Sequence, residues 1–585
     1  MMLPRVRGLV SLLVAVLVIA FAVVQWFVLP PDGWVTGDQG SKYLQTRAFA
    51  EHGPFNPGID VLSRDLDPDY RFQEPKMKNR RGRLVSEFLW LLPLLAAPFY
   101  LLFGLRGLYV VPALSVAAIA VAAAVLARHL AGERGRWLPW IVVFATPVIV
   151  YGFEFWEHAP AVACVMAGAV LAYPTNREGR DWLRMVAAGA AIAAGVLFRE
   201  EVAAALPAFV LARAIVVPGN RFRTLIVDGL SAAAGALAVF AAAVPVNLLI
   251  YGAPLPMHMT QDAWEVAKSV PYLQVRRDMV FALMLPAAHT AIFLLALSIG
   301  VAASVAQGLR AGSQRDDPAG GALLAVVHAA IVTIAIVTVV LPVWEMKTNP
   351  GSGDAYRITS AAHTWIFALA LLYWPWVRDT VDRLAARYLL ASGLLVILVT
   401  FVIVPTDGGS QWSPRFFLAA VPLLAIVAGA ALLPPHDARS VSPIASTRRP
   451  FAAMVIVAAV VMQATGAGWV KHSKRHNARI VEWISARTAP GDVLISDVFW
   501  FPEVTATLAP TRRMLFSWTP GQMPAMAARA AAGGFRTFRI VTSPQLTGYQ
   551  APPAFDLPGA PCRYVRRPPI ALVELLVSEY SCAPP

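Results

Sequence analysis

Residues 8–29 read GLVSLLVAVLVIAFAVVQWFVL, an apolar run without a charged side chain. A helix needs about 20 apolar residues to cross the hydrocarbon core of a bilayer, and this run is long enough. Arg5 and Arg7 precede it, as in a secretory signal peptide, but no small-residue cleavage site follows before Pro30 and Pro31. The sequence therefore predicts a first membrane span that is retained in the protein.

The composition of the whole chain points the same way. Of the 585 residues, 57% are hydrophobic and 14% are charged, whereas soluble domains have about 45–50% apolar and about 25% charged residues. This balance excludes a disordered protein and disfavours a soluble multidomain enzyme. Lys and Arg number 49 and Asp and Glu number 35, which gives a net charge of +14. We assign this excess to basic cytoplasmic loops rather than to nucleic-acid binding.

Further apolar runs predict about 13 membrane spans in total, several of them short. They lie near residues 107–127, 138–152, 159–174, 185–198, 202–217, 224–250, 283–305, 322–343, 363–377, 388–405, 415–433 and 451–469. Residues 86–104 form one more apolar run, which either crosses the bilayer or lies at its interface.

Arginine placement decides between these two alternatives, because short loops rich in Lys and Arg stay in the cytoplasm. If residues 86–104 do not cross and the N-terminus is cytoplasmic, the basic short loops all lie on the cytoplasmic side. Their arginines include Arg128, Arg134, Arg136, Arg184, Arg213, Arg310, Arg378, Arg383, Arg387, Arg448 and Arg449. We therefore interpret residues 86–104 as an interfacial helix within a first outer loop, residues 31–106. This loop carries a basic run of its own, residues 76–83, although long loops escape the rule more readily.

An odd number of crossings places residues 470–585 outside the cytoplasm, after a transmembrane domain of residues 1–469. The sequence pattern predicts helices at 477–487 and 523–532 and strands at 492–496, 514–517 and 537–542, which is typical of a small α/β domain. Cys562 and Cys582 lie in this domain and are a candidate disulfide pair, because extracytoplasmic compartments are oxidising. Together with Cys164 they show no metal-ligand spacing, and we expect neither a metal site nor a cofactor.

Ionisable residues are nearly absent from the middle of the predicted spans, which disfavours an ion-coupled transporter. Charged and aromatic residues gather in the predicted outer loops instead: Asp38, Lys42 and Tyr43 in the first, Glu154, Trp156, Glu157 and His158 in the second, and Arg199, Glu200 and Glu201 in the third. Outer loops are commonly polar and aromatic in membrane proteins, so each residue alone is weak evidence. Asp38, close to the first span, and the charged turn at 199–201 stand out.

Such a membrane face suits a substrate with a lipid tail, an anionic phosphate and a sugar. Cations would bind the phosphate, aromatic rings would stack on the sugar, and a carboxylate would take a proton from an acceptor hydroxyl.

The order of these motifs resembles the GT-C glycosyltransferase superfamily, which includes protein mannosyltransferases and aminoarabinose transferases. The resemblance covers roughly residues 8–435. It is carried by Gly37-Asp38-Gln39 with Tyr43, Leu102-Phe103-Gly104, the segment from Glu154 to His158, Arg199, Tyr251-Gly252 with Pro256, and Pro414-Arg415-Phe416-Phe417 with Pro422.

The resemblance implies roles for named residues. Asp38 corresponds to the first-loop acid that acts as base or positions the acceptor, and Glu154 or Glu157 would be the second acidic group. Lys42, Arg199 and Arg415 are candidates for binding the donor phosphate, and Tyr43, Trp156, His158 and Glu200 for binding the rest of the substrate. Many family members have a second acid beside the first. Here that position holds Gln39, so we expect a metal-independent mechanism.

The resemblance further implies an inverting transfer from a polyprenyl-phosphate-linked sugar to an envelope glycan, lipid or protein on the outer membrane face. Together with the Ala- and Arg-rich composition, it favours the plasma (inner) membrane of a bacterium. Two alternatives stay open: a flippase or exporter of lipid-linked sugars, and a catalytically inactive envelope scaffold. A flippase needs a polar path across both leaflets, against which the nearly charge-free spans argue.

Overall fold

Helices make up most of the chain, because an apolar segment in lipid must satisfy its backbone hydrogen bonds internally. The computed structural model describes residues 4–175, 181–259, 271–286, 289–310, 318–342, 344, 359–406, 412–433, 443–557, 562–572 and 574–583. Its α-helices, in chain order, are α1 Pro4–Val23, α2 Asp38–His52, α3 Leu91–Phe103, α4 Val110–Ala131, α5 Leu138–Phe144, α6 Val148–Tyr151, α7 His158–Ala172, α8 Asp181–Val196, α9 Ala205–Val216, α10 Arg221–Tyr251, α11 Tyr272–Asp278, α12 Thr290–Leu309, α13 Pro318–Ala335, α14 Ala361–Thr364, α15 Trp374–Val377, α16 Arg383–Ile403, α17 Val421–Gly429, α18 Pro443–Arg487, α19 Phe501–Val504, α20 Met523–Ala532 and α21 Pro544–Thr547.

Among the described residues, 8 helical stretches are long and apolar enough to cross a membrane. They are Gly8–Val28, Leu91–Phe144, Arg221–Tyr251, Thr290–Leu309, Ala319–Val340, Arg383–Ile403, Arg415–Leu432 and Thr447–Arg487. Other predicted spans coincide with shorter helices such as α7, α8 and α9. The chain is a multi-pass membrane protein, and the count of about 13 spans stays a prediction.

The chain divides into two compact units. The first comprises Met1–Val23, Val111–Ala242 and Gln261–Trp469. Small residues bring its helices close together: a β-carbon on Gly189 of α8 would overlap the carbonyl of Ala232 in α10, and one on Gly235 would overlap that of Val186. Close crossing at small residues is the usual way in which membrane helices pack.

The second unit comprises Val24–Val110, Ala243–Thr260 and Val470–Pro585. It contains two antiparallel strands in the first loop, β1 Met77–Arg80 and β2 Arg83–Ser86, which the sequence analysis did not predict. The predicted interfacial helix at 86–104 is therefore shorter than expected, because Ser86 pairs in β2 and helix α3 begins at Leu91. At about 1.5 Å per residue, α3 is roughly 20 Å long.

The C-terminal part of the second unit contains a seven-stranded sheet, as well as helices α19 to α21. Its strands are β3 Val493–Ser496, β4 Arg513–Phe516, β5 Thr537–Thr542, β6 Ala554–Phe555, β7 Arg563–Arg566, β8 Ile570–Leu572 and β9 Leu575–Ala583. They are ordered β4-β3-β5-β9-β7-β6, with β8 also paired to β9. Strands β4, β3 and β5 are parallel, and every other pairing is antiparallel.

These elements confirm the predicted helical membrane protein with a small C-terminal α/β domain. The three predicted strands correspond to β3, β4 and β5, and the predicted helix at 523–532 is α20. Cys562 and Cys582 form a disulfide, which joins β9 to the residue that precedes β7. The antiparallel strands β6 to β9 were not predicted, since β6, β7 and β8 are only 2–4 residues long.

Part of the first loop belongs to the core of this C-terminal sheet. Leu66 and Phe72 are buried in one hydrophobic cluster with Ile495, Phe538 and Tyr580. The Phe516 N–H donates to the Phe72 carbonyl at 2.7 Å. The expected division at residue 470 separated the first loop from the C-terminal residues, whereas the second unit contains both.

Candidate functional site

The residues proposed from the sequence fall into two groups. Asp38, Lys42 and Tyr43 belong to the second unit. Those of the first unit are Glu154, Trp156, Glu157, His158, Arg199, Glu200 and Arg415.

Asp38 is the first residue of α2, directly after Gly37. A carboxylate is stabilised at this position, because the N-terminal turn of a helix carries partial positive charge. Asp38 is partly exposed, whereas its neighbour Gln39 is fully buried and accepts a hydrogen bond from the Val35 N–H at 2.9 Å. Gln39 therefore has a structural role, and Asp38 is the carboxylate in this motif that solvent or substrate can reach.

The glycines on either side of Asp38 admit helix α19 from the C-terminal domain. A β-carbon on Gly37 would overlap the Glu503 carboxyl group, and one on Gly40 would overlap the Glu503 backbone carbonyl. The Gly37–Gly40 motif thus serves close packing as well as any chemistry at Asp38. It brings Glu503, a residue that the sequence analysis did not select, next to α2.

Glu503 and Glu74 form a buried acidic pair beside this motif. Glu74 Oε1 accepts hydrogen bonds from Ser41 Oγ at 2.8 Å and from the Lys76 N–H at 3.0 Å. Burial raises the pKa of Glu74 to about 7. Burial and the charges of Glu74 and Asp38 raise the pKa of Glu503 well above its ordinary value. Burial thus favours the protonated form of both groups, and Glu503 is the member that donates the hydrogen bond to Glu74.

Cations and an aromatic ring lie on the same part of the first loop. Lys42 is buried with its ammonium group 4.3 Å from the centre of the Phe88 ring. Lys76 and Lys78 bind opposite oxygens of Glu87, at 2.9 and 3.2 Å. Burial alone would lower the pKa of Lys76, but the carboxylates of Glu87 and, more weakly, Asp38 raise it above its ordinary value. Lys76 therefore stays charged, within the electrostatic influence of Asp38.

Tyr43 is only 5% exposed. Its ring stacks on Trp34 at 5.6 Å and meets Tyr100 edge-on at 5.9 Å. Burial, together with a hydrogen bond to Tyr100, raises the pKa of the Tyr43 hydroxyl above its ordinary range. Its visible role is to fix α2 against its aromatic neighbours.

In the first unit, Arg199 is the centre of a buried ionic network. Its Nη1 donates to Glu157 Oε1 at 2.9 Å, and its Nε donates to Glu201 at 3.0 Å. His158 Nδ1 lies 3.6 Å from Glu201. Burial alone would lower the pKa of Arg199, but Glu201, Glu200 and Glu157 raise it well above its ordinary value. Much of the Arg199 charge is therefore already balanced within the unit.

Arg415 begins a 3-10 helix, Arg415–Ala420, and is partly exposed. Its guanidinium lies 5.3 Å from the Trp156 ring centre and 5.4 Å from that of Phe416. Trp156 is fully buried and meets the His158 ring edge-on at 4.8 Å. Since Arg415 is accessible and Arg199 is not, Arg415 is the better placed of the two for an anionic ligand.

The two remaining acids of this unit differ in exposure. Glu154 is 1% exposed, and its backbone carbonyl accepts from the Trp156 N–H at 2.8 Å. Glu200 begins the 3-10 helix Glu200–Ala204 and is partly exposed.

Within the described residues, no group of three or more His, Cys, Asp or Glu side chains is arranged to hold a metal ion.

Comparison with known proteins gives similarity at the level of structure. Neither protein-family models nor curated proteins match the chain. It is similar to ArnT from Cupriavidus metallidurans bound to undecaprenyl phosphate, with 97% of each chain covered, 12% identity and a TM-score of 0.48. It is also similar to the Archaeoglobus fulgidus oligosaccharyltransferase tethered with an acceptor peptide, with 91% of this chain and 69% of that chain covered, 13% identity and a TM-score of 0.47. Both similarities are of structure only, at identities of 12% and 13%.

Sequence reasoning missed Glu74 and Glu503 and did not use Lys76. The sequence contained one signal for this region: a basic run at residues 76–83, in a loop that the arginine placement predicts to lie outside the cytoplasm. No local pattern marks Glu503, because its proximity to Asp38 depends on how the C-terminal domain folds against the first loop.

Proposed function

We propose that this protein is a membrane glycosyltransferase that moves a sugar from a polyprenyl-phosphate donor to an envelope glycan, lipid or protein acceptor. The reaction takes place on the outer face of a bacterial inner membrane, with inversion and without a metal ion. The observation that carries the proposal is the environment of Asp38: a partly exposed carboxylate at a helix N-terminus, electrostatically coupled to the ammonium of Lys76.

The proposed chemistry is a single displacement. Asp38 accepts the proton of the acceptor hydroxyl while the hydroxyl oxygen bonds to the anomeric carbon of the sugar. The bond between that carbon and the phosphate oxygen breaks on the opposite side, and polyprenyl phosphate leaves with the electron pair. Cations stabilise this anion, so a general acid for the leaving group is not needed. One carboxylate can then suffice, unlike the pair in glycoside hydrolases.

Lys76, Lys42 and Arg415 are the proposed phosphate-binding residues. Arg199 is proposed to hold Glu157 and Glu201 in place, because its guanidinium donates hydrogen bonds to both carboxylates. Glu154 and Glu157 remain proposed as second acidic groups. Trp156, His158 and Glu200, together with Tyr43, remain proposed for substrate binding.

The test combines cell chemistry with one substitution. Mass spectrometry of envelope glycans and lipid-linked sugars, in cells with and without the protein, should reveal a glycan that depends on it. Asp38→Asn should lower transfer by about 10²–10⁴-fold, the usual contribution of a general base, while expression and membrane insertion stay unchanged. Asp69→Asn, at an exposed carboxylate paired with Arg71 in the same loop, is the matched control.

Three outcomes would contradict the proposal. Full transfer by Asp38→Asn would remove Asp38 from the mechanism. Unchanged glycans in cells lacking the protein would reject transfer. Accumulation of lipid-linked sugar on the cytoplasmic side alone would favour a flippase.

A further inference from the structure

The basic run of the first loop is larger than the proposed transfer chemistry needs. Residues 76–83 contain Lys76, Lys78, Arg80, Arg81 and Arg83, and the predicted topology puts them in an outer loop, against the usual bias of positive charge. Lys76 and Lys78 share the single carboxylate of Glu87, which balances one of their two charges. Arg81 and Arg83 have no carboxylate partner among the described residues, so their charges call for another explanation.

Arg81 and Arg83 line a cavity of about 330 Å³ in the first loop, and Arg64 lines it with them. Asp60 is the one acidic residue among the described residues lining this cavity, and its carboxylate is 3.2 Å from His52 Nε2. Three arginines against one aspartate leave a net charge of 3 − 1 = +2 with His52 neutral. We call this space the arginine cavity.

The backbone conformation at residue 81 does not favour an arginine. Arg81 and Gly82 connect β1 to β2, and both have positive φ, 53° and 75°. A two-residue hairpin turn with positive φ at both positions favours Asn-Gly, and a long side chain at the first position is disfavoured. An observed residue of this kind is a reason to seek a function.

The Arg81 guanidinium is also held close to a neighbouring segment. A β-carbon on Gly252 would lie 2.9 Å from Arg81 Nε, so this glycine leaves room for the guanidinium. Arg64 is positioned over the Tyr70 ring at 5.8 Å. The remaining lining includes the polar side chain of Asn56, which suits a hydrophilic ligand rather than an acyl chain.

We infer that the arginine cavity binds a phosphate or carboxylate group. Planar guanidinium groups bind these anions through paired hydrogen bonds, which an ammonium group cannot do. The anion comes either from a soluble saccharide or from a lipid headgroup, since both carry this chemistry. Surplus positive charge also attracts such ligands by long-range steering, which added salt weakens.

The arginine cavity and Asp38 lie at opposite ends of helix α2. His52 ends helix α2 and Asp38 begins it, so the cavity lies about 20 Å from Asp38 along the helix axis. If the proposed function is correct, the anion belongs to a part of the substrate that is remote from the transferred sugar. Only this step rests on the proposed function.

Binding can be tested without any transfer reaction. The full-length protein in phosphatidylcholine nanodiscs would be titrated with glucose 1-phosphate and with glucuronate in a calorimeter, and glucose would be the neutral control. We expect both anions to bind and glucose not to. Arg83→Gln and Arg81→Asn should each weaken anion binding by about tenfold or more, equivalent to about 1.4 kcal/mol. Arg71→Gln, at an exposed arginine outside the cavity, should leave the affinity unchanged.

Arg81→Asn also separates binding from folding. Asn suits positive φ, so this variant should match or exceed the wild-type thermal stability while it loses affinity for the anion. Repeating the titration in phosphatidylglycerol nanodiscs identifies the source of the anion. If lipid headgroups fill the cavity, glucose 1-phosphate should bind more weakly in phosphatidylglycerol nanodiscs than in phosphatidylcholine nanodiscs. Arg83→Gln should then remove this difference. Equal binding in the two nanodiscs favours a soluble saccharide.

Two results would overturn the inference: no binding of either anion to the wild-type protein in phosphatidylcholine, or equal affinity in Arg81→Asn, Arg83→Gln and wild type. These results are independent of glycan transfer. A protein that transfers sugar but fails to bind these anions rejects only the arginine cavity, and a protein that binds them but transfers nothing rejects only the proposed function.

Discussion

Glu503 adds a second acidic group to a motif that contains one carboxylate in the sequence. Helix α19 presents it against Gly37 and Gly40, and its buried carboxyl group donates a hydrogen bond to Glu74. Two carboxylates that share one proton are stable in such a site, whereas two charged ones repel each other. The protonation of this pair therefore affects how the C-terminal domain holds α2 and Asp38.

The buried pair of Glu74 and Glu503 predicts that the folded protein becomes less stable as the pH rises. Burial raises the pKa of Glu74 from 4.5 to about 7 in the folded protein. Between these values the folded state binds more protons than the unfolded state, so the stabilisation is complete below about pH 4.5 and is lost as the pH rises through 7. We expect the thermal unfolding temperature of the protein in nanodiscs to fall across this window.

Substitution of either acid provides the control for this prediction. Glu74→Gln cannot ionise and should flatten the pH dependence between 5 and 8, and Glu503→Gln should flatten it further at higher pH. Glu51→Gln, at a more exposed carboxylate on helix α2, should retain the wild-type slope. An unchanged slope in Glu74→Gln would show that other groups cause the pH dependence.

At the scale of elements, the short turn between α8 and α9 carries three consecutive charged residues. Arg199, Glu200 and Glu201 occur in sequence there, and the side chains of Arg199, Glu157 and Glu201 are each at most 5% exposed. Removing one member of a buried ionic network leaves the others buried without their partner. The resulting loss of unfolding free energy is larger than the net stabilisation that the network provides. The turn therefore fixes α7, which begins directly after Glu157, relative to α8 and α9.

Arg199→Met should destabilise the protein by about 3–5 kcal/mol, because Glu157 and Glu201 would be left buried without a cation. Arg199→Lys should recover only part of this loss, since an ammonium group cannot reproduce the directed hydrogen bonds of the guanidinium. Denaturant unfolding in detergent measures both variants. Arg47→Met, which removes a more exposed pair with Glu51, should cost less than about 1 kcal/mol. Equal losses in Arg199→Met and Arg47→Met would contradict the buried network.

At the scale of the whole molecule, each unit gathers segments that are distant in sequence. The second unit joins the first loop, residues 243–260 and the C-terminal domain. Leu66 and Phe72 complete the hydrophobic core of the C-terminal sheet, and Arg513 binds Asp65 at 2.5 Å. The first loop and the C-terminal domain thus stabilise each other.

Deletion of residues 470–585 should therefore disable the first loop as well. Without the sheet, Leu66 and Phe72 would be exposed to water, and each exposure would cost about 1.5–3 kcal/mol of free energy. We expect a loss of glycan transfer of about 100-fold or more, and rapid proteolysis within residues 53–90. Size-exclusion chromatography in detergent should still show an inserted, monodisperse membrane part. A truncated protein with a protease-resistant first loop and full transfer would show that the loop folds independently.

The sequence by itself determined the membrane-spanning character, the helix at 523–532 and three strands of the C-terminal domain, and the choice of Asp38 as a candidate acid in the first loop. These follow from hydrophobicity and local periodicity, which report burial over a few neighbouring residues. Only the tertiary structure decided that Glu503 and Glu74 share a proton beside Asp38, that Arg199 is enclosed by acids, and that Arg64 joins Arg81 and Arg83 around one cavity. Such groupings depend on packing between residues far apart in the chain, and no local pattern in a single sequence records that packing.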